Sequence, residues 1–194
     1  MDNATQTIAP WIQTSDGSQF WLDGSGSSTV TAPELAIALS RIPRFGGHFK
    51  PAVEFYSVAE HSVRVAEILP DDLKLAGLLH DAHEAYDGFG DVCSPAKWLD
   101  PYVQDFLDMH ARRITAAIYD GLGLHELLVV DQAPVDYADL TLLATEKRDL
   151  MAPEPTRWTE LPEPLPETIV PLSMRNAKWA FLEMFNSLTR GNAS

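Results

Sequence analysis

The stretch LLHDAHEAYDGFGD, residues 78 to 91, places two histidines and four carboxylates in fourteen positions directly behind an apolar run. Imidazole nitrogens and carboxylate oxygens are side-chain atoms that ligate divalent ions, and a nearby carboxylate can position or deprotonate a water. Consecutive residues on a helix are about 100° apart, so His80 and Asp81 reach one ion only if it sits over the edge between them. Glu84, four residues after His80 and three after Asp81, shares their face, and His83 lies on its flank. Two ligands cannot close a coordination sphere. The remaining ones must come from other helices.

The elements that must bring such ligands together read as mostly helical, an all-α fold with a small N-terminal β-hairpin. WIQTSDGSQFWL alternates apolar and polar residues around Ser15, Asp16 and Gly17, which predicts the hairpin, and DGSGSSTVTAP reads as a flexible connector. Thr31 can cap a helix with Pro33 in its first turn that stops at Pro43. Ser57 and Glu60 form a capping box for a helix reaching about Leu69, and a further helix is expected over residues 71–86, with Leu73, Leu75, Ala76, Leu79 and Ala82 on its buried side. A long helix is expected over 101–119, ended by Gly121, and another over 135–150. Residues 151–172 carry six prolines and read as an extended strap across the surface, followed by a final amphipathic helix. One domain is expected over 1–194: hairpin and connector 1–30, helical core 31–152, strap 153–172 and C-terminal helix 173–190.

Composition narrows the function. The chain is 194 residues long with 45% apolar and 22% charged residues, enough for one ordinary core. Its net charge of −14 opposes nucleic acid and anionic membranes, so a site for an anionic substrate must be built locally from a few cations. No run approaches the ~20 apolar residues of a membrane span, and the N-terminus shows no basic or apolar leader, so a cytoplasmic location is expected. A lone cysteine, Cys93, excludes an internal disulfide and leaves metal binding to His, Asp and Glu.

EFYSVAEHSVRVAEIL, LAGLLHDAHEAY and DYADLTLLATEKRDLM, in this order, resemble the HD-domain metal-dependent phosphohydrolases, whose pattern is H…HD…D on separate helices. The resemblance covers about residues 34 to 150 and is nearest to the branch of bacterial 5'-deoxynucleotidases and phage dATP triphosphohydrolases. It implies an HD-domain helical bundle in which His61, His80, Asp81 and Asp139 bind one divalent ion. Two imidazoles and two carboxylates suit Mn, Co, Zn, Fe or Ni better than an all-oxygen ion. Glu84 matches the family carboxylate that orients or deprotonates water. Asp91, in GFGD, matches the second family carboxylate in a loop about two residues longer than the family's, which leaves Asp87 as a rival. Asp139 is favoured over Asp136 by the ADxxLLATE block, and Asp136 reads as a solvated first-turn carboxylate.

The local cations stand in SRIPRFGGHFK: Arg41, Arg44, His48 and Lys50. By the resemblance Arg44 contacts phosphate, Phe45 stacks on a base or packs beside the sugar, and Lys97 meets the outer phosphates. His48 is either a donor to phosphate or a surface histidine in a glycine loop. His110 and His125 lack ligand spacing, the five tryptophans read as core or interface, and Cys93 has no histidine to activate it. The expected function is hydrolysis of the 5'-phosphate or phosphates of a dNMP or dNTP by a metal-activated water, a triphosphate bringing an additional Mg. The alternative is a nucleotide-binding regulatory module without turnover. The expected partner is a small nucleotide, with no nucleic acid or membrane, and the family tends to homo-oligomers of two or more copies. The apolar final helix serves either contacts between copies or the chain's own core.

Overall fold

Trp11–Gln13 (β1) pairs antiparallel with Gln19–Trp21 (β2), with Ile12 opposite Phe20. The turn between them is tied by Asp16, whose carboxylate accepts from the Ser18 N–H and the Thr14 hydroxyl. A computed structural model describes residues 9–158 and 160–190 of the chain. Residues 1–8, on which the expected lack of a leader chiefly rests, lie outside the described residues. The hairpin joins the helical body twice. Phe20 stacks on Tyr86 with centroids 4.2 Å apart, and Glu34 accepts from Ser15 Oγ at 2.6 Å and Ser15 N at 3.1 Å. The connector is pinned rather than loose: Ser28 Oγ accepts from the Trp21 N–H, and Gly26 lies against the Trp21 ring, where a Cβ would have no room.

Seven α-helices follow among the described residues: Ala32–Leu39 (α1), Val58–Ile68 (α2), Lys74–Leu79 (α3), Ser94–Lys97 (α4), Pro101–Leu122 (α5), Ala133–Leu150 (α6) and Met174–Thr189 (α7). Short 3-10 turns span Arg44–Gly47, Ala82–Ala85 and His125–Val129. Side-chain caps at Thr31, Ser57, Asp100 and Ser173 satisfy N–H groups that the first turns leave unpaired. Only half of the expected box at Ser57 forms. Its hydroxyl accepts from the Glu60 N–H, while the Glu60 carboxylate turns to Arg64 and to the Leu172 N–H.

Helix α2 runs through the middle of the core, packed against α1, α3, α6 and α7, and Val58, Ala59, Val63, Val65 and Ala66 are buried on it. Burial of each such side chain contributes roughly 1.5–3 kcal/mol for the larger ones. Gly77 allows α3 to approach: a Cβ there would stand 3.3 Å from the Ala66 Cα and overlap the Leu69 side chain. The apolar face of α7 is spent inside the chain, with Ala177 and Phe181 fully buried against this core.

Two helix ends differ from expectation. Helix α5 continues past Gly121, which packs on Val30, and stops at Gly123, whose left-handed φ of 69° closes the last turn. The helix expected over 71–86 breaks. It is regular only to Leu79, Asp81 departs from helical geometry at φ −99° and ψ 14°, and a 3-10 turn follows. Residues 160–172 run along α2 and α6 without regular secondary structure. Thr145 Oγ1 accepts from the Leu165 N–H, Asp149 from Ile169 and Glu60 from Leu172, while Arg148 donates to the Leu165 and Glu167 carbonyls. No helix among the described residues is long and apolar enough to cross a membrane.

Candidate metal centre

The break after α3 aims two adjacent side chains at one point. His80 turns its Nδ1 back to the Gly77 carbonyl at 2.7 Å, which leaves Nε2 facing outward, 3.1 Å from Oδ2 of Asp81. From α2, fully buried His61 brings its Nε2 to 3.3 Å from the His80 Nε2 and 3.5 Å from Asp81 Oδ2. These donor atoms all lie within 4.8 Å of one another, and the group could hold a metal ion. On α6, Asp139 sets Oδ1 3.1 Å from the same His61 nitrogen without hydrogen-bond geometry. Spacings of 3.1–3.5 Å suit donors sharing an ion at bond lengths of about 2.0–2.2 Å.

Electrostatics describe what an ion would displace. Burial and the Arg44 guanidinium push the His61 imidazolium down, but Glu146 and Asp139 outweigh them and raise its pKa to about 10. His80 is raised in the same sense, the Asp81 carboxylate overcoming burial. Asp81 is held well below the usual carboxylate range because the two imidazoles and Arg44 outweigh burial, which acts the other way. Ion binding must expel the protons these rings hold. Glu84 differs: burial first, then the charges of Asp81 and Asp91, raise it well above an ordinary glutamate, and its Oε2 has no hydrogen-bond partner.

A cavity of about 540 Å³ opens over this centre. Its floor is polar, formed by Arg44, Asp81, Glu84, Asp91 and Asp139, and its walls are apolar, with Trp98, Leu140, Leu143 and the strap's Trp158 among them. Arg44, only 8% exposed, spreads across the floor with one nitrogen 3.1 Å from Asp91 and 3.6 Å from Asp81 and the other 3.7 Å from Glu146. It stands at the head of the 44–47 turn, anchored by its N–H to the Tyr56 carbonyl beside the start of α2. Phe45 and Gly46 follow with left-handed φ of 54° and 58°. Left-handed backbone is costly for a phenylalanine, and Asp91 holds it there by accepting the Phe45 N–H at 2.7 Å.

No family model matches the chain. Over 183 residues it is 36% identical to the uncharacterized protein YfdR of Escherichia coli (strain K12), an alignment that covers 92% of this chain and 96% of YfdR. The chain belongs to the YfdR family.

In this YfdR-family chain most of the residues singled out by sequence meet in one place. His61, His80, Asp81, Asp139, Glu84, Arg44, Phe45, Asp91 and the half-buried Lys97 all lie at the cluster or line the cavity over it. His48 does not: it is exposed at the end of the 44–47 turn, where its backbone N–H bonds the Phe45 carbonyl and its side chain lines no part of the cavity. Arg41 is exposed and Lys50 lines a neighbouring cavity, so Arg44 alone of that basic segment serves the site. Asp87 turns away, its Oδ1 accepting the Phe89 and Gly90 N–H groups, and Asp136 is exposed. Asp91 faces the site but spends both oxygens on Arg44 and the Phe45 N–H.

Two contributions in this YfdR relative escaped the sequence reading. Glu146, fully buried, accepts from Nδ1 of His61 at 2.6 Å. Its signal was available: it lies two turns after Asp139 on the same helix, in the ATE of the motif. Trp158 and Trp98, read as core or interface, line the cavity instead. Trp158 is far from the motif in sequence and only the fold of the strap brings it over the centre, whereas Trp98 directly follows Lys97. Cys93 lies exposed at the same rim, and His110 is buried with its Nε2 on the Asp87 carbonyl and lines no part of this cavity.

Proposed function

We propose that this YfdR-family chain is an HD-domain phosphohydrolase that uses a divalent transition metal to hydrolyse the 5'-phosphate or phosphates of deoxynucleotides. The observation that carries the reading is one cavity whose floor holds a buried arginine, an unpaired glutamate of raised pKa and Asp81, the last of which joins it to the ion-competent cluster that Asp81 forms with His61 and His80. His61, His80, Asp81 and Asp139 would hold the ion, and their nitrogen and oxygen donors suit Mn, Co, Zn, Fe or Ni. A bound ion would supply a polarised phosphoryl oxygen and a water acidic enough to attack near neutral pH.

The chain's own groups do the rest. Glu84, with its free oxygen on the cavity floor and its proton affinity raised by burial, accepts a proton from the attacking water. Arg44 meets two phosphoryl oxygens with its planar fork, already oriented by Asp91, Asp81 and Glu146. Asp91 acts through Arg44 and the 44–47 turn. Lys97, on α4 at the cavity edge, offers a further cation to the phosphate. The walls formed by Phe45, Trp98 and Trp158 exclude water and give an aromatic base a flat surface to rest on.

Incubation of the metal-replete chain with each dNMP and each dNTP, with products separated by chromatography, tests the reading. Release of phosphate and deoxynucleoside from dNMPs, or of triphosphate or successive phosphates from dNTPs, is expected with Mn or Co and is abolished by chelation. Binding of nucleotides without product would identify a binding module instead.

A further inference from the structure

Glu146 stands on α6 two turns beyond Asp139, wholly removed from solvent. An ionised carboxylate survives in such a place only when its oxygens are matched by positive charge or donors. His61, 2.6 Å from one oxygen, and the Arg44 guanidinium, 3.7 Å from the other, provide that match. Its two oxygens face different parts of the site. Oε1 accepts from Nδ1 of His61 at 2.6 Å, whereas Oε2, without a hydrogen-bond partner, lies 3.7 Å from Nη2 of Arg44.

We infer that Glu146 is a positioning residue that joins the metal side of the site to its phosphate side, setting the His61 ring with one oxygen and the Arg44 guanidinium with the other. The inference rests on the metal-dependent phosphohydrolase reading. Through Oε1 it keeps the imidazole proton on Nδ1 and the Nε2 lone pair turned toward the cluster. Through Oε2 it draws one arm of the Arg44 fork away from Asp81 and Asp91, both of which lie against the other arm. The fork therefore stays spread across the cavity floor instead of folding onto those two carboxylates. A residue that merely filled the interior would need neither the charge nor both contacts.

Glu146→Gln separates these roles, because glutamine keeps the volume and an acceptor oxygen but loses the charge. Two measurements on the full chain decide: a Co2+ titration followed by the visible absorption of the bound ion, and steady-state hydrolysis of a dNMP and a dNTP with Co2+ saturating. The variant is expected to bind Co2+ roughly 10–100-fold more weakly than wild type. With Co2+ saturating it should show a KM raised several-fold while kcat changes much less. A variant that melts at a lower temperature yet keeps wild-type Co2+ affinity and KM overturns the inference and leaves the enzyme reading intact. A wild-type chain that binds no Co2+ overturns both. The Co2+ arm needs no substrate, so it still decides if the nucleotide assignment fails. Should the glutamine variant not fold, Glu146→Asp keeps the charge and withdraws the oxygens by one methylene; it is expected to lose Co2+ affinity in the same way, and unchanged affinity overturns the inference.

Discussion

The Nε2 atoms of His61 and His80 stand 3.3 Å apart, and each ring is turned by its other nitrogen, His61 on Glu146 and His80 on the Gly77 carbonyl. The two rings come from α2 and from the break after α3, so they meet only because Gly77 lets those helices pack closely. With Nδ1 of each ring committed as a donor, the neutral rings both present acceptors to a point already flanked by Asp81 and Asp139. Only protons or a cation can occupy such a point without repulsion.

Asp81 faces both imidazoles, so its removal should empty the centre. Asp81→Ala is expected to lower retained Mn or Co from about one ion per chain to almost none, and hydrolysis with it. Elemental analysis after metal-replete purification measures this. Full retention by the variant would remove Asp81 from the ligand set.

Glu84 has a different signature. Glu84→Gln should retain the ion and lose about 10²–10⁴-fold in kcat. As a base, Glu84 must be ionised, and burial with the nearby Asp81 and Asp91 charges raises its pKa. In the wild type, kcat/KM therefore falls as pH drops through that raised value, at a higher pH than for an ordinary carboxylate, and in Glu84→Gln this limb should be flat. Wild-type turnover by the variant would exclude Glu84 from water activation.

Arg44 lies against three carboxylates and is the proposed phosphate contact. Arg44→Ala strands Asp81, Asp91 and Glu146 on the cavity floor and should cost about 3–5 kcal/mol of stability, read by denaturant unfolding. Arg44→Lys keeps the charge but loses the fork, and roughly a tenfold rise in KM is expected with the fold retained. An unchanged KM in that variant would speak against a phosphate contact.

The centre should also make stability depend on pH when no ion is bound. The folded chain holds the His61 proton up to a pKa of about 10, whereas an unperturbed imidazole releases it near 6.5. This contribution is complete below the lower value and is lost as pH rises toward the higher one. The Tm of chelator-treated protein is expected to fall as pH rises from about 6.5 toward about 10, and saturating Co2+ should remove the decline because bound imidazoles carry no proton. Thermal melts followed by circular dichroism test this, and a flat profile for the stripped protein would contradict it.

Much of the fold was legible because its signals are local. Caps at Thr31 and Ser57, alternation in the hairpin and the proline run of the strap each act within a few residues. What periodicity could not reveal was the break at His80 and Asp81, since the apolar pattern continues straight through it. There the packing of His80 on the Gly77 carbonyl and the junction with the 3-10 turn override helix propensity. The residues of the candidate cluster were legible as spaced His and Asp, and part of the polar floor as one basic segment and one acidic loop. His48 and Lys50 shared that segment in sequence, but after the left-handed turn at Phe45 and Gly46 the segment no longer lines the cavity. Glu146 was marked by its place two turns after Asp139 on the same helix, whereas Trp158 depends on a contact between distant segments, which spacing alone does not encode.

The most direct test is a crystal of the chain grown with Mn2+ and measured for anomalous scattering at the manganese edge. The account predicts one peak within about 2.0–2.3 Å of Nε2 of His61, Nε2 of His80 and a carboxylate oxygen of Asp81. A well-ordered structure with no peak there, or with those three atoms turned away from one another, would contradict it.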